Sequence, residues 1–324
     1  MSNGNDKDLN QLKNGEQWER HLLERLAFAS VSEQRKTRRW GIFFKLFFLG
    51  YLVVILIMTS SGDWGGKALP GGDYAALVDM NGVISSDSQA SADFVITGLR
   101  KAFESKAKGI LFRTNSPGGS PVQAGYINDE IIRLKKKYPE KPIYAVVGDV
   151  CASGCYYAVA STDKIYANKA SIVGSIGVLM DGFGFVEGMK KLGIERRLIT
   201  AGENKGLLDP FSPLKAKDKK HAKKMLNEIH GQFIDVVRKG RGDALKPTPD
   251  MFSGLFWTGQ EAMEMGLVDA LGSAGYVARE VIGAEEIVDF TYQEDWFERF
   301  AGKLGAAMAN TMATRLSLDV TGLQ

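Results

Sequence analysis

The chain is poor in the side chains that most often carry acid–base and metal chemistry. Its 324 residues include three histidines, His21, His221 and His230, and two cysteines, Cys151 and Cys155. Two cysteines four positions apart fall short of the roughly four ligands, differently spaced, of a structural zinc site. At that spacing across a turn their Cβ vectors are expected to diverge. They are therefore expected to be two small buried thiols, although an oxidising compartment would permit a disulfide. A large excess of one sign of charge is also lacking. A net charge of +3 is too small to argue for a nucleic-acid partner. Long hydrophobic runs are limited to a single stretch. What remains is an ordinary globular composition, with 44% hydrophobic residues, enough for one large domain and its appendages.

The one long apolar run is Trp40 to Met58, interrupted only by Lys45 near its basic end, where the stem can reach the interface. It is long enough to cross a bilayer as a helix. Arg35, Lys36, Arg38 and Arg39 precede it, which places the N-terminus in the cytoplasm and the rest of the chain outside. A cleaved signal peptide is the rival reading. The long charged leader and the lack of an A-x-A-like site in TSSGDWGG stand against it. Residues 1–39 then form a polar cytoplasmic tail, with a short amphipathic helix suggested by Trp18, Leu22, Leu23 and Leu26. Residues 40–59 form the anchor and 60–73 a glycine-rich linker.

Beyond the linker, short apolar strands alternate with glycine turns and helices. Tyr74–Ser85 reads as two strands hinged at Asn81-Gly82, Ser91–Ser105 as a helix and Gly109–Arg113 as a strand. A Gly/Pro turn follows at Thr114–Pro121, then a helix at Val122–Lys137 and a buried strand at Pro142–Val147. Asp163–Ala167 and Glu195–Thr200 are further strand expectations, and Ser171–Val178 is an apolar stretch punctuated by glycine. A short helix is expected at Gly188–Leu192, a long basic one at Ala216–Lys239, and a strand with a helix within Phe256–Asp269. Residues 74–290 thus predict an α/β domain with a largely parallel sheet, whose sites lie at the strand ends. In residues 291–324, Phe297, Phe300, Leu304 and Met308 mark one face of an amphipathic helix, the kind of face that makes an oligomer or domain contact.

The chain is organised around Gly148–Tyr157, GDVCASGCYY. Ser153 stands where a strand stops and a helix starts, flanked by small residues. Free N–H groups at such a place can hold a developing negative charge, so Ser153 is a candidate nucleophile. The plain alternative is a tight turn with a capping serine. A serine needs a base. His21 lies across the membrane from Ser153, and His221 and His230 fall in a basic helical segment that reads as solvated surface. A lysine can serve if burial lowers its pKa from ~10.4 to roughly 7–8, which takes about 3–5 kcal/mol of differential desolvation. That favours a lone lysine among glycine and apolar residues, and Lys205 in AGENKGLLDPF fits. Glu203 is a caution, because an inward carboxylate would hold the lysine charged. Lys164 and Lys169 are weaker candidates, beside charge or at a strand edge.

Five stretches carry a resemblance: Asn115–Ser120 (NSPGGS), Ala152–Tyr157 (ASGCYY), Gly174–Val178 (GSIGV), the Gly202–Pro213 loop with Lys205, and Thr258–Asp269 (TGQEAMEMGLVD). Each is weak alone. In this order, over roughly residues 40 to 290, they resemble the signal peptide peptidase A family of membrane-anchored serine proteases, in its short single-domain form. The resemblance implies a Clp-protease/crotonase-like fold of repeated β-β-α units after one N-terminal transmembrane helix. It implies Ser153 as nucleophile, Lys205 as general base and Ser175 as the serine that orients the lysine. The oxyanion hole would be the Gly154 N–H and an N–H of the Gly118-Gly119 turn, with Gly119 favoured. It further implies no cofactor or metal and an inner-membrane location with the catalytic domain outside. Peptide substrates, chiefly remnant signal peptides, and a homo-oligomeric ring follow in the same way. Cys151 and Cys155 depart from the alanine or glycine more frequent in the family. The rival functions are a crotonase-like acyl-CoA enzyme and a catalytically silent membrane scaffold.

Overall fold

The computed structural model describes residues 38–56 and 73–293. The helix expected around Trp18–Leu26, the linker at 60–72 and the amphipathic segment Trp296–Met312 lie outside those residues. The chain divides into two compact units, Met1–Leu69 and Pro70–Gln324. In the first, Arg38–Leu56 forms one 19-residue helix, α1, apolar and long enough to cross a membrane.

The second unit is built on a mixed sheet. Its strands are β1 (Tyr74–Asn81), β2 (Gly109–Ser116), β3 (Ile143–Ala152), β4 (Lys164–Ala167), β5 (Ile172–Gly174), β6 (Phe256–Thr258), β7 (Ala270–Leu271) and β8 (Glu286–Asp289). Their order is β6-β5-β3-β2-β1-β8, with β4 pairing β3 and β7 off this path. Every pairing is parallel except β5 with β6. A parallel sheet requires crossovers, and helices α2 (Ala92–Glu104) and α3 (Pro121–Lys137) supply the first two. The remaining helices include α4 (Gly154–Val159), α5 (Val186–Lys191), α6 (Ala216–Arg241) and α7 (Gly259–Glu264).

The central strands β1 to β3 are buried on both faces over most of their length, as their runs of β-branched and other apolar residues require. Ala76, Val78, Met80, Ile110, Phe112, Ala145 and Val147 join the main core with Leu99, Phe103, Ile127 and Ile131 of α2 and α3. The alternate residues Ala75, Leu77, Leu111 and Val146 face a second core with Val277 and Ala278. This period-two division is the pleat seen from the sequence. Helix α3 starts sharply because Ser120 accepts a hydrogen bond from the Gln123 amide and Pro121 opens the first turn; Lys135, Lys136 and Lys137 close the last.

Three local expectations need correcting. Residues 83–85 form no second strand. Only Ile84 makes a bridge, to Gly119, because the chain leaves the sheet at Gly82 (φ 88°). Glu195–Thr200 forms no strand either: Ile194, Leu198 and Ile199 are exposed and no neighbouring strand within the described residues offers them a partner. The strand at Pro142–Val147 continues to Ala152. Its extension follows an irregularity: Thr114 pairs Val147, but Ser116 pairs Cys151, so β3 carries two more residues than β2 over this interval.

Candidate active site

The irregularity in β3 is held from both sides. Asn115 at the end of β2 accepts a hydrogen bond from the Val150 amide at 3.1 Å and donates to the Asp149 carboxylate at 3.1 Å. The Ser171 hydroxyl donates to the Gly148 carbonyl at 2.5 Å. The chain thus reaches Cys151 and Ala152 in a fixed direction, and Ala152 pairs with Gly174 of β5.

Ser153 follows, between β3 and α4, with φ 52° and ψ −124°. A positive φ at a residue with a Cβ costs on the order of 1–3 kcal/mol and persists only where its surroundings impose it. Here the Ser153 amide donates to the Gly174 carbonyl at 2.8 Å, and the Ser153 carbonyl accepts from Tyr157 at 3.1 Å. The hydroxyl caps nothing, so the capping role that sequence allowed is not what this serine does. Ser175 is one residue beyond Gly174, as Ser153 is one beyond Ala152. Both serines thus follow directly on paired positions of neighbouring strands. Ser175 also has a positive φ, 50°, and its amide donates to the Leu255 carbonyl at 2.7 Å.

The Gly118-Gly119 turn packs onto Ser153. A Cβ on Gly118 would stand 2.7 Å from the Gly154 nitrogen and 2.8 Å from the Ser153 Cβ. A Cβ on Gly119 would stand 2.2 Å from the Ile84 carbonyl oxygen, so a side chain there is excluded. The Gly118 amide is taken by the Ser116 hydroxyl at 3.1 Å. Among the described residues the Gly119 and Gly154 amides donate to no backbone carbonyl, and a Cβ on Gly154 would stand 3.2 Å from the Gly119 nitrogen. Two free N–H groups are therefore near neighbours beside Ser153. Asn115 and Ser116 shape this corner and were missed as functional residues by sequence reasoning. Their signal, the NSPGGS string itself, shows a turn but not which side chain bonds to which backbone group.

Cys151 and Cys155 form a disulfide, which corrects the expectation of two free thiols. The reversal at Ser153 turns the chain back on itself and brings the two Cα atoms to 5.1 Å, within disulfide reach. Both cysteines are fully buried.

Lys205 lies exposed in a turn after Gly202, in the segment between β5 and α6; its amide donates to the Gly202 carbonyl at 3.1 Å, and no hydrogen bond joins it to Ser153 or Ser175. Glu203 does not engage it either: that carboxylate meets Lys217 at 2.5 Å, and the contact holds its pKa below the ordinary range. His221 is exposed and lines a cavity of about 450 Å³ with Asn204, Leu207 and Lys217, on the α6 side of the same loop. His230 is half-buried. Its Nε2 donates to the Ile176 carbonyl at 3.1 Å, which removes that nitrogen as a proton acceptor. Among the described residues no cluster of histidine, cysteine, aspartate or glutamate suits a metal ion.

Comparison with known proteins bears on this corner. The family profile described as peptidase family S49 matches residues 135–287, which include Ser153, Ser175 and Lys205. The putative protease MJ0651 of Methanocaldococcus jannaschii is 34% identical over 260 residues, covering 75% of this chain and 81% of that protein. The chain belongs to peptidase family S49. Within it, the putative signal peptide peptidase SppA of Enterococcus faecium is 32% identical over 204 residues, 60% of this chain and 59% of that one. A protein of Brucella abortus named Na(+)/H(+) antiporter NhaA is 47% identical over 186 residues, 57% of this chain. The chain spans only 25% of that much longer protein's length. The S49 match encloses the elements that set the serine pair, β3 to β5, and runs on through α6 to β8.

Proposed function

We propose that this S49 chain is a membrane-anchored serine endopeptidase in which Ser153 is the nucleophile and Lys205 the general base. The observation that carries the reading is the Ser153–Gly154 corner packed against Gly118-Gly119: a strained serine with an uncommitted hydroxyl beside two free amides. Lys205, as the neutral amine, removes the Ser153 Oγ proton. Oγ attacks a peptide carbonyl, and the Gly154 and Gly119 N–H groups hold the oxyanion. Gly119 is preferred to Gly118 because the Gly118 amide is already committed to Ser116. The lysine ammonium then protonates the leaving amine, and water hydrolyses the acyl-enzyme. Ser175, adjacent in register to Ser153, orients the lysine.

A lysine acts as a base only where it is taken out of water. The excursion that carries Lys205 is exposed and unusually apolar, with Leu179, Phe183 and Ile199 at 81%, 81% and 95% relative exposure. A homo-oligomeric ring that covers this surface brings Lys205 out of solvent and onto a Ser153. The parallel sheet with its serines at the ends of β3 and β5 suits the Clp-protease/crotonase-like arrangement of β-β-α units. Helix α1, with its basic flank, tethers the domain at the outer face of the cytoplasmic membrane. Extended apolar peptides emerging there, remnant signal peptides among them, are the substrates in this reading.

The test is labelling by a fluorophosphonate probe together with peptide hydrolysis. Wild-type protein is expected to label at Ser153 and to cleave casein. Ser153→Ala is expected to do neither while keeping its fold. Lys205→Ala is expected to lose hydrolysis as well, and near-full activity in that variant would assign the base elsewhere. A wild-type protein that neither labels nor cleaves would overturn the reading.

A further inference from the structure

Ser153 is held from one side by the sheet, through its amide bond to Gly174 and the pairing of Cys151 with Ser116 and Val173. On the other side stands α4, which is six residues long and so has few internal hydrogen bonds of its own. A short helix of this kind is a weak anchor for a strained hinge. The disulfide supplies what the helix lacks. It joins Cys151, the last residue but one of β3, to Cys155, the second residue of α4, and places Ser153 at the centre of a covalent ring with a sequence separation of 4.

We propose that the Cys151–Cys155 disulfide is a clamp that holds the Ser153 turn in its reactive conformation, which makes the two cysteines positioning residues and the site sensitive to a dithiol reductant. The inference rests on Ser153 being the nucleophile. Two features separate a clamp from a general staple. The stabilisation a disulfide gives by restricting the unfolded chain grows with the logarithm of loop length and is smallest for a loop this short, so the restraint acts chiefly on local geometry. Both sulfurs are also fully buried, so the bond is no site of ready exchange in the native protein and stays closed until the turn opens. Opening it takes two electrons and two protons. A dithiol attacks one sulfur as its thiolate, forms a mixed disulfide, closes to its own cyclic disulfide, and leaves Cys151 and Cys155 as thiols. The released turn can then relax the positive φ of Ser153, which displaces the hydroxyl and the Gly154 amide together.

The experiment compares the full-length protein oxidised and after treatment with dithiothreitol, beside the variant Cys151→Ala/Cys155→Ala. Alkylation of denatured, unreduced wild type is expected to find no free thiol. Reduction is expected to lower kcat and the rate of fluorophosphonate labelling on the order of ten- to a hundredfold. KM should stay within about twofold, Tm should fall by no more than a few degrees, and reoxidation should restore the rate. The double variant is expected to match reduced wild type and to ignore dithiothreitol. Free thiols in the isolated protein, or unchanged labelling after proven reduction, would overturn the clamp while leaving the peptidase reading intact. A loss of rate that merely follows loss of folded protein would overturn it too. Oxidised wild type that neither labels nor cleaves would remove the nucleophile itself, and with it both readings.

Discussion

Ser153 and Gly119 show how much of this site depends on backbone space. Ser153 occupies a conformation in which a Cβ is unwelcome, and Gly119 occupies one in which a Cβ cannot fit at all. The strain at Ser153 is held by the sheet, by the glycine turn packed on it and by the disulfide around it. The vacancy at Gly119 lets its amide approach Gly154. Gly119→Ala must therefore push the turn off Ile84 and carry the amide away from the serine. The expected outcome is a fall in kcat on the order of 10²–10³, with a smaller effect on KM, measured on peptide hydrolysis. A variant with wild-type kcat would show that the second oxyanion donor lies elsewhere. The small residues between a strand and a helix pointed to Ser153 from sequence alone, and the family resemblance pointed to Gly119. Asn115, Ser116 and Ser171 were not legible in the same way, because their partners are backbone groups of other strands.

At the scale of elements, the helices that cover the main core are tied by a carboxylate. Glu130 of α3 is only 8% exposed and bonds both Arg133 on its own helix and Arg100 on α2. Arg133, and then Arg100, hold the Glu130 carboxyl down at about 2, against a partial opposing effect of burial. A carboxyl whose folded pKa is depressed stabilises the fold above its unfolded pKa, near 4.5, and that contribution is lost as pH falls towards 2. The whole effect is at most about 3 kcal/mol, and salt weakens it because both arginines are half exposed. Glu130→Gln is thus expected to lower Tm at neutral pH and to flatten the decline of Tm between about pH 4.5 and pH 2. Equal acid sensitivity in the variant and the wild type would assign the acid response to other carboxylates. The periodicity of α2 and α3 was readable from the chain, but the tie between the two helices was not.

Across the whole molecule, the excursion between β5 and α6 stands out. It carries large apolar side chains that face outward, and it carries Lys205. Monomeric surfaces rarely present apolar area so concentrated unless something covers it. If a second copy covers it, Ile199→Asp places a charge where the contact forms. The variant is expected to sediment as a smaller species and to lose most of its activity, while the sheet-based unit keeps its Tm. A variant that assembles and cleaves like wild type would free this surface from any role in either. The expected strand at Glu195–Thr200 failed for the same reason that the surface is exposed: among the described residues no strand pairs with it and Leu198 and Ile199 stay exposed.

The sequence by itself determined the elements whose causes are local. The apolar run that became α1, the strand and helix periods of β1 to α3, the strand-to-helix corner at Ser153 and the long basic α6 follow from residue order, turn chemistry and burial pattern. The five motif stretches likewise read as one family from residue order alone, and comparison with known S49 proteins agrees. Only the tertiary structure decided that β3 runs on through an irregularity to Ala152, that Ser153 and Ser175 each follow a paired residue of neighbouring strands, and that the Gly119 amide rather than the Gly118 amide is free. It also decided that Cys151 and Cys155 are bonded, because only the reversal of the chain at Ser153 turns two diverging side chains towards each other. These are relations between segments distant in sequence, or between atoms whose separation depends on a backbone angle that residue type does not dictate.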